Sequence, residues 1–331
     1  MNLVQISDGV RRRVALVDEP HLIPLARFDS VYALVSEALR SGKPVASLAE
    51  RGRDRLDYEE VWAGRSTWRL LSPADVPANP HCVLISGTGL THLASVQRRD
   101  AMHTAASAGS ETDSMRMYRW GVEGGKPEGG GPGTAPEWFY KGSGSVLRGH
   151  RDQLVVPVHG EDGGEEPEIA GVYLIAPNGT PVRIGFAQGN EFSDHKFERR
   201  NYLYLAHSKL RTCSLGPELV TDGAFDDVRG RVAVERDGVE LWGSEIRTGE
   251  ANMCHSLANM EHHHFKYEQH RLPGDLHIHF FGADAFSFGS GVELQDGDWM
   301  QVAFEGFGRP LRNTVARRQG ACAMTAVQSL V

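Results

Sequence analysis

The sequence is that of an α+β protein, mostly β, with a small N-terminal α/β domain over residues 1–75 and a larger domain over 76–331. Three observations lead there. Short apolar runs separated by Asn-Gly and Asp-Gly pairs fill the C-terminal two-thirds, as hairpin strands require. One well-capped amphipathic helix stands near the start. A breaker-rich stretch, Ser72-Pro73-Ala74-Asp75-Val76-Pro77-Ala78-Asn79-Pro80, reads as the linker between the two parts.

Taken in order, Asp8-Gly9 is a turn and Val14–Val17 a short strand. Ser30 caps a helix whose apolar positions Val31, Leu34, Val35, Ala38 and Leu39 recur at helical spacing, and Ser41-Gly42 ends it. Val83-Leu84-Ile85 is a strand running into the turn Ser86-Gly87-Thr88-Gly89. Gly121 to Thr134 holds seven glycines and two prolines and is expected to be a long mobile loop, either a lid or a segment disordered when the site is empty. Asn178-Gly179 divides strands at 171–175 and 182–186, and Asp237-Gly238 divides strands at 232–234 and 239–242. One helix is expected from about Ser193 to His207. Leu276, Ile278 and Phe280 alternate with His277 and His279 as in a half-buried strand, and Trp299–Phe304 is a further strand.

The 331 residues carry 35 Lys and Arg against 43 Asp and Glu, a net charge of −8. A basic footprint for nucleic acid or for anionic membranes is therefore missing. No apolar run reaches spanning length, and the first residues turn polar too soon for a signal peptide. The expected compartment is the cytoplasm. Cys82, Cys213, Cys254 and Cys322 are scattered and read as free thiols.

Three constellations bear on chemistry. In Glu165-Glu166-Pro167-Glu168, a strand would turn Glu166 and Glu168 to one side. They are either a solvated acidic turn or two ligands of a hard divalent cation. Glu191, at the end of a strand and the start of a helix, either complements the helix dipole or completes a three-carboxylate site. Lys209, eighteen residues on, either compensates the C-terminal dipole of that helix or is a candidate base beside such a cation. The glycine-rich turn at 86–89 offers backbone N–H groups to an anion, and His92 after it is a candidate acid or base. The histidines from His255 to His279 suggest metal binding by composition. The glutamate that would complete a cupin-like pattern with His277 and His279 is missing, and Glu261–His270 reads as an exposed polar segment.

In this order the motifs resemble the fumarylacetoacetate hydrolase superfamily over roughly residues 80 to 316. Gly87-Thr88-Gly89-Leu90-Thr91-His92 resembles its Gly-x-Asn-Tyr-x-x-His turn, and Pro136-Glu137-Trp138-Phe139-Tyr140-Lys141 its Pro-x-Phe-Phe-x-Lys strand. Glu166-x-Glu168-Ile169-Ala170 is similar to the metal motif Glu-x-Glu-Leu-Ala, and Gly189-Asn190-Glu191-Phe192-Ser193 to Gly-Asn-Asp-Val-Ser. Lys209 with Ser214-Leu215-Gly216-Pro217 resembles the family's lysine and its Pro-Leu-Gly-Pro segment.

The resemblance implies a β-roll catalytic core, a homodimer or higher homo-oligomer, and a Mg²⁺-type ion (Mn²⁺ or Ca²⁺ being alternatives) on Glu166, Glu168 and Glu191. It implies a 2-oxo acid substrate, with Lys209 and His92 catalytic and Ser86, Gly87, Thr88, Lys141, Ser143, Asp194, His195, Gly282 and Ala283 around the substrate. The chain departs from the hydrolytic members, which carry a glutamate three residues after the histidine of the turn. Here that position is Ser95, followed by Gln97-Arg98-Arg99-Asp100. The Leu-Thr-His turn and Trp-Phe-Tyr-Lys strand look most like the branch of sugar-acid catabolism. The expected activity is dehydration of a 2-keto-3-deoxy pentonate to 2,5-dioxopentanoate. The alternatives are an acylpyruvate or diketone C–C hydrolase, a non-catalytic binding protein with a relic metal site, and a histidine-based cupin-like enzyme.

Overall fold

The computed structural model describes residues 1–94, 97 and 112–330. Ser95 and Arg98–Asp100, where the chain departs from the hydrolytic pattern, lie outside them.

Two sheets organise the described residues. The larger has 13 strands. Its path runs from Leu56–Asp57 through His21–Pro24, Arg12–Asp18 and Asn2–Ser7 to Leu219–Val220. It continues through Pro181–Asn190, Pro167–Ile175, Leu276–Phe280 and Val83–Gly89 to Glu137–Ser143. The smaller sheet orders Val239–Thr248, Val228–Arg236, Trp299–Phe304, Leu311–Arg317 and Gln153–Val156. The mostly-β α+β expectation holds.

The N-terminal strands are joined to the rest by main-chain pairing. Asn2 lies opposite Val220 and Leu3 opposite Leu219. The helix Val31–Ser41 is capped by Ser30 and closed by Gly42 at φ +67°, as its sequence required. It buries Val31, Leu34 and Val35 in the same cluster as Val172, Leu174 and Ile278 of the main sheet. The stretch read as a linker is packed rather than loose: Ser72, Ala74 and Val76 are buried, and Gln5 Nε2 donates to the Ser72 carbonyl at 2.6 Å.

Both predicted hairpins are present, with Gly179 at φ +79° and the Asp237-Gly238 pair at +52° and +78°. Four expectations change. The stretch from Gly121 begins inside a helix, Asp113–Gly124, not in a loop. A Cβ on Gly121 would come 2.7 Å from Cys254 Sγ, so that glycine serves close packing. The expected 193–207 helix is broken into His195–Arg200, a 3₁₀ turn at Tyr202–Tyr204, and Leu205–Lys209. The strand Leu276–Phe280 is buried on both faces, because a helix, Leu257–Phe265, brings His264 against His277. The supposed exposed segment Glu261–His270 therefore holds two buried histidines, His264 and His270.

Candidate metal centre

The pairing of Pro167–Ile175 with Pro181–Asn190 sets the site. Glu168 lies opposite Gly189, and Glu191 N donates to the Glu166 carbonyl at 2.9 Å. Glu166 and Glu168 share a side by strand alternation, and Glu191 joins them from the partner strand's end. A Cβ on Gly189 would come 2.6 Å from the Phe280 ring, so the crossing there demands glycine. One carboxylate oxygen from each of Glu166, Glu168 and Glu191 lies within 4.8 Å of the other two, and all three residues are buried. Among the described residues, this is the one such group of three or more metal-ligating side chains.

Three buried carboxylates at this spacing repel one another. Burial, then the charges of Glu191 and Glu166, push Glu168 well above the ordinary carboxylate range. Burial also raises Glu191, against the lowering effect of Lys141 and Lys209. Cations answer the repulsion. Lys209 Nζ lies 2.6 Å from Glu191 Oε2, 2.8 Å from both oxygens of Glu166, and 2.9 Å from Ser193 Oγ. Lys141 Nζ forms an ion pair with Glu191 Oε1 at 2.6 Å. Both lysines are essentially inaccessible to solvent. Glu168 Oε2 accepts from Gly282 N at 2.7 Å. The donor set is all carboxylate oxygen, which suits Mg²⁺, Mn²⁺ or Ca²⁺ and not a thiol- or imidazole-preferring metal.

The other predicted residues fall into two groups. His195 joins the cluster, with Nε2 2.9 Å from Glu166 Oε1 and its ring stacked on Phe286 at 4.7 Å. Burial opposes its protonation, but the Glu166 hydrogen bond and the charges of Glu166, Asp162 and Glu198 raise its pKa. Gly87 faces the site side: a Cβ there would meet the Phe139 ring at 2.4 Å, and that ring lies 4.7 Å from Lys209 Nζ. Ala283 is buried directly after Gly282. Ser86 and Thr88 turn their hydroxyls the other way, each 2.8 Å from a ring nitrogen of His279. Ser143 sits at a strand end bonded to Ser145. Asp194 caps the helix His195–Arg200 and holds Arg211 at 2.7 Å. His92 lines a cleft of about 650 Å³ with Arg229, Arg247, Asn252 and Asp284. Its Nδ1 meets Thr91 Oγ1 at 2.9 Å, and burial lowers its pKa to about 4.

Two residues were missed by sequence reasoning. Glu137, Phe139 and Lys141 are the buried face of Glu137–Ser143, so Glu137 belongs on the side of the lysines. A Cβ on Gly89 would come 1.7 Å from Glu137 Oε2, and Tyr202 donates to Glu137 Oε1. The alternation Glu137-x-Phe139-x-Lys141 was the available signal. Ser193, whose hydroxyl donates to Glu191 at 2.7 Å, carried no signal beyond its place two residues later. Phe192 between them holds φ +46°, and its carbonyl receives Lys141 Nζ at 2.5 Å. This is local strain stored beside the charged cluster.

The fold these strands make is shared with solved fumarylacetoacetate hydrolases. No family model matches the chain. It is 28% identical over 186 residues to a Haloferax volcanii "probable 2-keto-3-deoxyxylonate dehydratase". That match covers 54% of this chain and 60% of the relative, so the chain spans less than two-thirds of it. A 2-keto-3-deoxy-D-arabinonate dehydratase, solved with magnesium and 2,5-dioxopentanoate, superposes with TM-score 0.72 at 19% identity, over 97% of this chain and 100% of that one. A fumarylacetoacetate hydrolase from Exiguobacterium antarcticum gives TM-score 0.58 at 19% identity, over 96% and 100%.

Proposed function

We propose that the protein is a divalent-metal-dependent dehydratase of a 2-keto-3-deoxy pentonate, with Mg²⁺ held by Glu166, Glu168 and Glu191. The observation that carries this reading is the buried cluster itself. Three carboxylates converge within 4.8 Å, with a lysine 2.6 Å from one of them. The similarity to a probable dehydratase of such an acid supports the same reading. When bound, the ion supplies Lewis acidity to the carboxylate and 2-oxo oxygens of the substrate.

Lys209 Nζ, in its neutral form, is the base that takes a proton from C3. Its contacts with Glu166, Glu191 and Ser193 fix the nitrogen in place. The C4 hydroxyl leaves as water with a proton from an acid. His92 is one candidate, but its pKa near 4 leaves it neutral at pH 7. Glu137, on the lysine face of its strand with Oε2 turned to the Gly89 turn, is a second candidate. Loss of water across C3–C4, then transfer of a C5 proton to C3 and ketonisation of the resulting enol with its O5 proton going to C4, yields the C5 aldehyde, 2,5-dioxopentanoate. Ser95, in place of the hydrolases' glutamate, favours elimination over hydrolysis. The family resemblance extends the proposal to a homodimer working in the cytoplasm.

The test is incubation of purified protein and Mg²⁺ with 2-keto-3-deoxy pentonates, with products followed by NMR. Appearance of 2,5-dioxopentanoate is expected. Cleavage of an acylpyruvate with no turnover of the sugar acids would replace the reading with a C–C hydrolase.

A further inference from the structure

Behind the candidate site lies a buried group of imidazoles that the proposed reaction does not use. His264, from the helix Leu257–Phe265, packs against His277 and His279 of the strand Leu276–Phe280, with ring centroids 5.1 and 4.5 Å away, and against His270 at 4.8 Å. Two hydrogen bonds fix where the protons sit. Trp138 Nε1–H can only donate, and it lies 3.2 Å from His264 Nδ1, so that nitrogen carries no proton. The neutral ring then bears its hydrogen on Nε2, 2.9 Å from His277 Nδ1, which accepts. His277 consequently bears its hydrogen on Nε2, a buried atom with no hydrogen-bond partner among the described residues. The line runs in one direction, Trp138 to His264 to His277. A further proton on His264 has only Nδ1 to occupy and must evict Trp138. A further proton on His277 must evict His264.

Among the described residues, the groups facing this cluster offer it no countercharge. The strand Val83–Gly89 presents the hydroxyls of Ser86 and Thr88, and the 3₁₀ turn at Glu268–His270 presents His270, which binds the His264 carbonyl at 2.6 Å. Phe265, Tyr267 and Phe281 supply ring edges. From the strand Pro167–Ile175, Tyr173 turns its hydroxyl to Glu261, which is shared with Arg183. Lys266 meets His263. Burial, and then the neighbouring imidazoles, hold His264 well below its ordinary pKa, and burial lowers His277 and His279 to about 3.

The other end of the line is the edge strand Glu137–Ser143. Trp138 points from one face of it to His264, while Phe139 and Lys141 point from the opposite face to Lys209 and Glu191, with Glu137 on that same face. We propose that His264 is a positioning residue for the site: through Trp138 it fixes the strand carrying Glu137, Phe139 and Lys141, and it does so only as a neutral imidazole. Acid then releases the strand and reversibly loosens the site. The consequence for metal affinity rests on the metal-centre reading above; the coupling of His264 to Trp138 does not.

Two variants separate positioning from packing. His264→Gln offers an amide oxygen to Trp138 and an amide N–H to His277 but cannot take a proton. His264→Leu removes both bonds. The Trp138 contribution to emission is isolated by subtracting Trp138→Phe, and Mg²⁺ affinity is measured by calorimetry across pH. In the native protein, acidification below the ordinary imidazole value should quench Trp138, and part of the accompanying loss of Mg²⁺ affinity, beyond that from protonation of the carboxylates, should share its midpoint. His264→Gln should keep the neutral-pH affinity and lose that transition. His264→Leu should bind Mg²⁺ roughly three- to tenfold more weakly at neutral pH, the weight of one net buried hydrogen bond. A Trp138 titration unchanged in His264→Gln overturns the proposal, as does native affinity in His264→Leu. If no pH gives Mg²⁺ binding, the metal-centre reading fails, while the Trp138 titration of native protein against His264→Gln still decides the coupling.

Discussion

Lys209 Nζ and Glu191 Oε2 stand 2.6 Å apart, and both side chains are all but sealed from solvent. A buried pair of this kind is held by its neighbours, and removing one member strands the other. Lys209→Met should therefore lower the stability of the metal-free protein by about 3–5 kcal/mol. Added Mg²⁺ should restore much of the loss, because it supplies the missing positive charge. Turnover should fall at least about 100-fold, since a positioned base is gone. Thermal melts with and without Mg²⁺, beside rate measurements, check both halves.

Glu168→Gln should behave in the opposite sense. Burial and two neighbouring carboxylates already raise the pKa of Glu168 far above the usual value, so its charge is a liability without a cation. The neutral isostere keeps a side-chain oxygen for the Gly282 N–H. The melting temperature of the metal-free variant should equal or exceed that of the native protein, and calorimetry should show Mg²⁺ binding lost. Retained Mg²⁺ affinity would remove Glu168 from the ligand set.

Gly89→Ala tests Glu137. The added methyl would stand 1.7 Å from Glu137 Oε2, so that carboxylate must move away from the turn. A misplacement of about 1 Å costs up to 100-fold in rate when the displaced group is a reacting one. The expected outcome is a kcat loss of at least about tenfold with Mg²⁺ affinity unchanged, since Glu137 is no ligand in this scheme. An unchanged kcat would leave His92 as the acid.

Acid stability should depend on the buried imidazoles. Folded His279 stays neutral down to about pH 3, while the unfolded ring takes its proton near the ordinary 6.5. Between those values the unfolded state binds more protons, so stability falls as pH drops through the window. His279→Gln removes that term. The loss of unfolding free energy between pH 7 and pH 5 should shrink by about 2 kcal/mol in the variant, measured by denaturant titration.

The sequence was most legible where local rules act alone. The Ser30 cap and Gly42 end of the first helix, and the Asn178-Gly179 and Asp237-Gly238 hairpins, follow from backbone conformations that few residues adopt. Glu166, Glu168 and Glu191 could be grouped because strand alternation and motif order both place them. What remained hidden depends on distant partners. Nothing near Glu137 in sequence announces that Gly89 and Tyr202 will flank its carboxylate. The histidines misled because alternation at His277 and His279 normally means one wet face; the helix Leu257–Phe265 dries that face by bringing His264 onto it. The 193–207 helix breaks at Asn201, whose side chain caps the following 3₁₀ turn instead of continuing the spiral.

The pairing of Asn2 and Leu3 with Val220 and Leu219 bears on how the protein can be divided. Glu218, just before that strand, is bound by Asn2 Nδ2 at 2.7 Å and by the Tyr58 hydroxyl at 2.8 Å. A chain trimmed to begin after residue 75 would lose both donors, leave Glu218 with the Arg309 N–H at 3.1 Å, and bare the edge of Leu219–Val220. The leading strands are therefore not a detachable module. In domain-swapping or gene-fusion work they travel with the portion that carries the carboxylates, and chains that exchange one without the other should be less stable.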